Sequence, residues 1–199
     1  MIREIKLFLN KEECDSLITV CKSQPCNINI KNYMKTHPFE IKDESYSLFA
    51  KIRAFISIET GLPKENQEFI LCIRYGENGS YHEHYDTFIY PSHVLAKNID
   101  TQLFYDSNMS QGGHRKYTSI IYLNDDFSGG ETYFAKLDKT IKPETGKIVL
   151  WKNIKENNEI DELMLHTGKS VLSKEKWILV IYIRKNHFNR MAACHDTDF

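Results

Sequence analysis

From Glu68 to Arg184 the chain is a succession of strand-length segments divided by turn signals, and this run limits the available folds more than any other feature. Phe69, Leu71, Ile73 and Tyr75 alternate with Glu68, Ile70, Cys72 and Arg74, and Gly76-Glu77-Asn78-Gly79 ends the segment. Successive strand side chains point to opposite faces, so apolar residues in both sets predict a mostly buried strand. Further strands are expected at Tyr81–Phe88, Thr118–Leu123, Thr132–Ala135, Lys147–Trp151, Leu163–Thr167 and Trp177–Arg184. Ahead of them lies a short strand, Ile5 to Leu9, and then a helix opened by Asn10 with Glu13 as a capping box. Cys14, Leu17, Ile18 and Cys21 recur on that helix at the spacing of one face. A second helix is expected from about Glu44 to Thr60, stopped by Gly61-Leu62-Pro63, and residues 25–43 read as loop or irregular strand. Helices followed by many short strands predict a mainly β chain with flanking helices (α+β), a sandwich or jelly roll with the helices on one outer face.

Within the strand run, Tyr81-His82-Glu83-His84-Tyr85-Asp86 carries the densest set of metal-ligating side chains. His84 and Asp86 would project from one face of a strand and share one ion. A distant histidine, His166, would complete two histidines and one carboxylate, which leaves positions of an Fe(II) ion open. His82 shares that face, but three ligands from one strand span too far to converge. His84 and Asp86 are therefore assigned to the metal, and His82 to a structural or lining role. Alone, an H-x-D tripeptide is weak, and a lone histidine in an apolar strand is more often core. Lys176 opens the apolar run Trp177–Ile183, and a lysine pointing inward there needs an anionic partner such as a bound carboxylate. The segment from Ile89 to Gln111 follows the ligand strand, mixes Tyr90, Phe104 and Tyr105 with polar residues, and is expected to be a loop able to close as a lid.

Composition narrows the partners. Lys+Arg number 26 against 27 Asp+Glu, so no basic block points to nucleic acid or a membrane surface. The five cysteines are odd in number and form no C-x-x-C pair, which fits free thiols in a reducing compartment. Met1-Ile2-Arg3-Glu4-Ile5-Lys6 carries charges where a signal peptide needs an apolar core, and a cytoplasmic protein is expected.

These residues fall into a longer pattern. Arg74-Tyr75-(five residues)-Tyr81-(two residues)-His84-(one residue)-Asp86 is followed by Gly112-Gly113-His114-Arg115-(two residues)-Thr118 and Tyr122-Leu123-Asn124-Asp125. Gly129-Gly130-Glu131-Thr132, Pro143-(two residues)-Gly146-Lys147 with Trp151, and His166-(nine residues)-Lys176-Trp177 complete it. The whole resembles the catalytic domain of prolyl 4-hydroxylases among the 2-oxoglutarate and Fe(II)-dependent dioxygenases. The resemblance implies a double-stranded β-helix core. It spans 1–199 as one domain, with a helical support region at 1–66, the jelly-roll core at 67–186 and a tail at 187–199. It implies that His84, Asp86 and His166 bind Fe(II), and that Lys176 pairs with the 5-carboxylate of 2-oxoglutarate. It also implies that Tyr75 and Tyr122 line the co-substrate pocket, with Thr118 and Thr132 weaker candidates, and that Arg115 could face the substrate. The implied reaction couples oxidative decarboxylation of 2-oxoglutarate by O2, to succinate and CO2, with hydroxylation of peptidyl proline. Ascorbate serves as reductant, a proline-containing peptide or protein is the partner, and the chain is a monomer or homodimer. The segment 152–162 is longer and more polar than is usual before the distal histidine, which bears on the substrate.

Other readings stay open on the sequence. The same cofactors could serve another side chain or a small molecule, and a jelly roll without chemistry could keep the fold as a binding module. A zinc hydrolase built on His82, His84 and His166 would need a general base beside the metal.

Overall fold

The protein is described here from a computed structural model, which covers residues 2–23, the backbone of 37–41, and residues 47–88 and 99–189. Its largest element is a six-stranded antiparallel sheet in the order β1-β9-β5-β12-β3-β2. These strands are β1 (Ile2–Ile5), β2 (His37–Ile41), β3 (Ile70–Tyr75), β5 (Arg115–Tyr122), β9 (Ile148–Lys152) and β12 (Lys176–Arg184). A four-stranded sheet runs β4 (Tyr81–His84), β10 (His166–Gly168), β7 (Thr132–Phe134), β8 (Lys139–Ile141). A small pair joins β6 (Ser128–Gly129) to β11 (Val171–Ser173).

Side-chain parity divides the large sheet into two faces. On β12, Trp177, Leu179, Ile181 and Ile183 pack with Cys14, Leu17 and Cys21 of α1 (Lys11–Lys22) and Phe49, Ile52 and Ile56 of α2 (Ser47–Thr60). Ile178, Val180 and Tyr182 turn the other way and meet Phe134, Ile141 and Val171 of the smaller sheets. All nine residues of β12 are buried, so this strand has helices on one side and sheet on the other. Tyr75, Thr118, Trp151 and Lys176 have the parity of the inner face, and that parity aims polar groups between the sheets. Here lies the jelly-roll core with helices on one face.

Several local expectations shift. The first strand is Ile2–Ile5 rather than Ile5–Leu9, because Leu7 adopts φ 54° and breaks extended backbone there. Leu9 is instead fixed by its N–H donating to Gly146 O at 3.1 Å. Gly146 has φ 77°, and a Cβ on it would lie 1.9 Å from Leu9 O, so no other residue fits that crossing. The region 1–66 is not only helical support, since β1 and β2 add a strand to each edge of the large sheet. Of the expected loop 89–111, residues 99–110 form a helix, α3 (Ile99–Ser110), and 89–98 lie outside the described residues. The α1 capping box is as expected, with Asn10 Oδ1 accepting from Glu13 N and Glu13 Oε2 from Asn10 N. Cys14, Cys21 and Cys72 are buried free thiols, and the other two cysteines lie outside the described residues. No described helix is long and apolar enough to cross a membrane.

Candidate metal centre

Strand pairing assembles the site. β10 runs antiparallel to β4 with His166 directly opposite His84, which sets the two imidazole centroids 4.3 Å apart. β4 ends at His84, so Asp86 stands two residues beyond the strand rather than within it, and its buried carboxylate still reaches both rings. Asp86 Oδ1 lies 3.3 Å from His84 Nε2, and Oδ2 lies 3.6 Å from His166 Nε2. One ligand atom from each of the three residues falls within 4.8 Å of the others. His82 is exposed and outside this group; its carbonyl contributes instead, lying 2.7 Å from His84 Nδ1.

The tautomers follow from these partners. A carbonyl can only accept, so His84 Nδ1 donates to His82 O, and His166 Nδ1 donates to Met164 O at 2.9 Å. Each ring thereby turns Nε2 toward the carboxylate, as a lone pair wherever the imidazole is neutral. Burial lowers the His166 pKa despite the opposing pull of Asp86, which favours that neutral form. Burial would raise the Asp86 carboxyl, but His166, His84 and Thr118 outweigh it and hold the group well below the usual carboxylate range. Two imidazole Nε2 atoms and a carboxylate thus converge on one point. Such a cluster fits a cation, and nitrogen–oxygen donors of this kind suit Fe(II). A fixed Nδ1–H partner on each ligand histidine is the usual companion of a metal site.

Lys176 opens β12 opposite Tyr75 of β3. Its ammonium is 2 % exposed, donates to Gly130 O at 2.7 Å, and lies 4.7 Å from the Tyr75 ring centroid. Among the described residues no carboxylate comes within ion-pair distance of it, and burial, partly opposed by Glu131, pushes its pKa down to about 7. One cavity, with about 400 Å³ of empty space partly open to solvent, is lined by His84, Asp86, His166, Lys176, Tyr75, Thr118 and Thr132. Ile73, Ile120, Ile178 and Val180 supply its apolar wall.

The other expected residues divide. Tyr75 lines the cavity; Tyr122 is behind it, its hydroxyl 2.7 Å from Thr132 Oγ1. Arg115 is not among the cavity-lining residues. Its guanidinium makes two 2.7 Å hydrogen bonds to Glu68 and stacks 3.6 Å from the Tyr182 centroid, and Arg184 binds the same carboxylate from the other side. A buried carboxylate claims both arginines, and Glu68 sits at the start of a strand run where nothing in the local pattern marks it. Asn153, buried just after β9 with its Nδ2 2.9 Å from Thr118 Oγ1, carries no sequence signal either.

Comparisons with known proteins agree with this geometry. Residues 70–184 match the family described as the 2OG-Fe(II) oxygenase superfamily. A putative prolyl 4-hydroxylase of Acanthamoeba polyphaga mimivirus is 34% identical over 129 residues, covering 64% of this chain and 49% of that protein. Prolyl 4-hydroxylase 1 of Arabidopsis thaliana is 28% identical over 203 residues, covering 89% and 66%. The chain thus spans about half of the one relative's length and about two thirds of the other's. Among solved structures, the viral collagen prolyl hydroxylase of Paramecium Bursaria Chlorella virus-1, in its 2OG complex, superposes with a TM-score of 0.72. It is 24% identical and covers 92% of this chain and 95% of its own, which is a likeness of fold.

Proposed function

This chain belongs to the 2OG-Fe(II) oxygenase superfamily, and from that premise we propose that it hydroxylates proline in a peptide or protein substrate. The observation that carries the reading is the pairing, in one cavity, of a triad of two histidines and a carboxylate with a buried lysine that has no carboxylate partner among the described residues. The first demands a cation and the second an anion. A metal-chelating dicarboxylate satisfies both at once.

In this reading His84, Asp86 and His166 hold Fe(II), and Lys176 pairs with the far carboxylate of 2-oxoglutarate as a point charge. The bound pair of cofactors supplies the redox chemistry by which O2 oxidatively decarboxylates 2-oxoglutarate to succinate and CO2 while a C–H bond is hydroxylated. The protein's own share is geometric and electrostatic. The carbonyls of His82 and Met164 lock both imidazoles with Nε2 toward the ion. Gly130 O steadies the Lys176 ammonium, and the isoleucine and valine wall gives the co-substrate an apolar surround. The Tyr75 phenol shares the cavity and is placed to donate to a carboxylate there. Ascorbate enters only as a reductant that keeps iron in the ferrous state.

Proline as the target is supported by the names of the relatives, which are prolyl 4-hydroxylases across a virus and a plant. The test is succinate release from 2-oxoglutarate on a panel of proline-containing peptides and their alanine counterparts, with mass spectrometry locating any added oxygen. Succinate production that depends on proline, with oxygen on the proline ring, is expected. Oxygen on another residue would move the enzyme to a different substrate within the same superfamily.

A further inference from the structure

Behind Asp86 runs a buried hydrogen-bond chain that the metal-site reading does not use. Asp86 Oδ2 accepts from Thr118 Oγ1 at 2.7 Å, and Thr118 Oγ1 lies 2.9 Å from Asn153 Nδ2. Thr118 is 1% exposed and Asn153 2%, so water does not compete for these bonds. Asn153 follows β9, and its backbone is tied on both sides: its N–H donates to Lys116 O at 2.8 Å, and its carbonyl accepts from Asp161 N at 2.9 Å.

The direction of every proton in this chain is fixed. Asn153 Nδ2 also faces the Arg115 carbonyl at 3.3 Å, and a carbonyl only accepts, so the amide nitrogen and not its oxygen points this way. Thr118 therefore receives the amide proton on a lone pair. Its hydroxyl has one proton, and the carboxylate is where it goes. Asn153 Oδ1, on the far side of the amide, has no hydrogen-bond partner among the described residues. A neutral donor thus holds Asp86 Oδ2, which also lies 3.6 Å from His166 Nε2, while Oδ1 lies 3.3 Å from His84 Nε2 and accepts no hydrogen bond from Thr118.

We propose that Thr118, locked by Asn153, is a positioning residue that pins one oxygen of Asp86 and confines that carboxylate to a single metal-bound oxygen. A carboxylate free to turn could bind through both oxygens and fill a coordination position. The reaction needs that position, because a chelating co-substrate takes two and O2 a third. The inference rests on the reading of His84, Asp86 and His166 as metal ligands.

Cobalt(II) titration of the full chain separates the two ideas, because the ligand-field spectrum reports coordination number without turnover. Wild-type protein should bind one Co(II), and His84→Ala should not. Thr118→Val should weaken Co(II) by roughly 10–100-fold, the usual loss for an outer-shell partner. It should also alter the visible spectrum and weaken 2-oxoglutarate binding to the cobalt protein in calorimetry. Thr118→Ser, which keeps the hydroxyl, should restore spectrum and affinity. If Thr118→Val does not fold, Asn153→Leu takes its place: it leaves Thr118 but frees its proton, and its spectrum should shift in the same sense. Wild-type spectrum and affinity in the variant that folds would overturn the positioning role while leaving the metal site intact. Failure of wild-type protein to bind Co(II), or undiminished binding in His84→Ala, would overturn both.

Discussion

His84 and His166 sit directly opposite one another across the antiparallel pair of β4 and β10, although 82 positions separate them in the chain. That register, rather than the H-x-D tripeptide alone, brings the ligand set together. It also places His82 outside, with its side chain in solvent and its carbonyl orienting His84. His84→Ala or His166→Ala should abolish stoichiometric Fe(II) binding. His82→Ala keeps the orienting carbonyl and should change affinity by less than about tenfold, below the range for lost outer-shell partners. Anaerobic Fe(II) titration of the three variants checks this, and equal losses in all three would place His82 among the ligands.

Removing Lys176 should separate co-substrate binding from metal binding. Lys176→Ala leaves the far carboxylate buried with no charge partner, a loss of about 3–5 kcal/mol when one member of a buried pair is deleted. The 2-oxoglutarate requirement should rise steeply while Fe(II) content stays at one per chain. Calorimetry with 2-oxoglutarate on the manganese-loaded protein reads it, and an unchanged dissociation constant contradicts the assignment.

The same lysine makes co-substrate binding pH-dependent. Burial holds its pKa near 7 in the unliganded protein, and an incoming carboxylate raises it, so binding takes up a proton as pH climbs past 7. Affinity should therefore be flat below that value and fall toward tenfold per pH unit above it. For folding the sign is opposite. The ordinary lysine value is 10.5, so between 7 and 10.5 the unfolded chain binds more protons and this group's contribution to stability rises with pH. Lys176→Arg keeps its charge throughout and should flatten the binding profile. A 2-oxoglutarate affinity in wild-type protein that does not vary above pH 7 would count against a titrating Lys176.

Glu68 carries a structural prediction. It is 8 % exposed and holds Arg115 and Arg184, and Arg184 in turn donates to Asn108 O of α3 at 2.8 Å and to Gly113 O at 2.9 Å. Glu68→Ala strands two largely buried guanidinium groups, and a cost of about 3–5 kcal/mol is expected. Burial would raise the Glu68 carboxyl, but the two arginines lower it further than burial lifts it. Its stabilising effect is thus present above the unfolded glutamate value and lost as pH falls through the folded one. Thermal unfolding of wild type and variant across the acid range should show the difference shrinking at low pH; a constant gap would argue against an ion-pair origin.

The sequence made some of this legible and hid the rest for physical reasons. The buried strands at Ile70–Tyr75 and Lys176–Arg184 announce themselves because apolar residues on both faces admit only a strand covered on both sides. Strand parity for His84 and Asp86, joined to the resemblance to the dioxygenase pattern, singled out His84, Asp86, His166 and Lys176, and the cavity brings all four together. The Arg115–Glu68 pair was not legible, because an arginine beside the metal motif looks the same whether it meets a substrate or a buried glutamate 47 residues away. The Asn153–Thr118–Asp86 chain leaves no trace in local pattern, since its members come from β5, the end of β9 and the end of β4. The helix at Ile99–Ser110 was hidden too, because none of its residues is buried and it lacks an apolar stripe to give it a period.

Everything functional here depends on one cavity holding a metal on three side chains and a dicarboxylate between that metal and Lys176. Anomalous diffraction from crystals of the protein grown with Mn(II) and 2-oxoglutarate under anaerobic conditions tests that arrangement directly. One manganese peak is expected between His84 Nε2, Asp86 and His166 Nε2, with the 5-carboxylate of 2-oxoglutarate on Lys176 Nζ. A metal peak elsewhere, or a co-substrate whose far carboxylate turns away from Lys176, would contradict it.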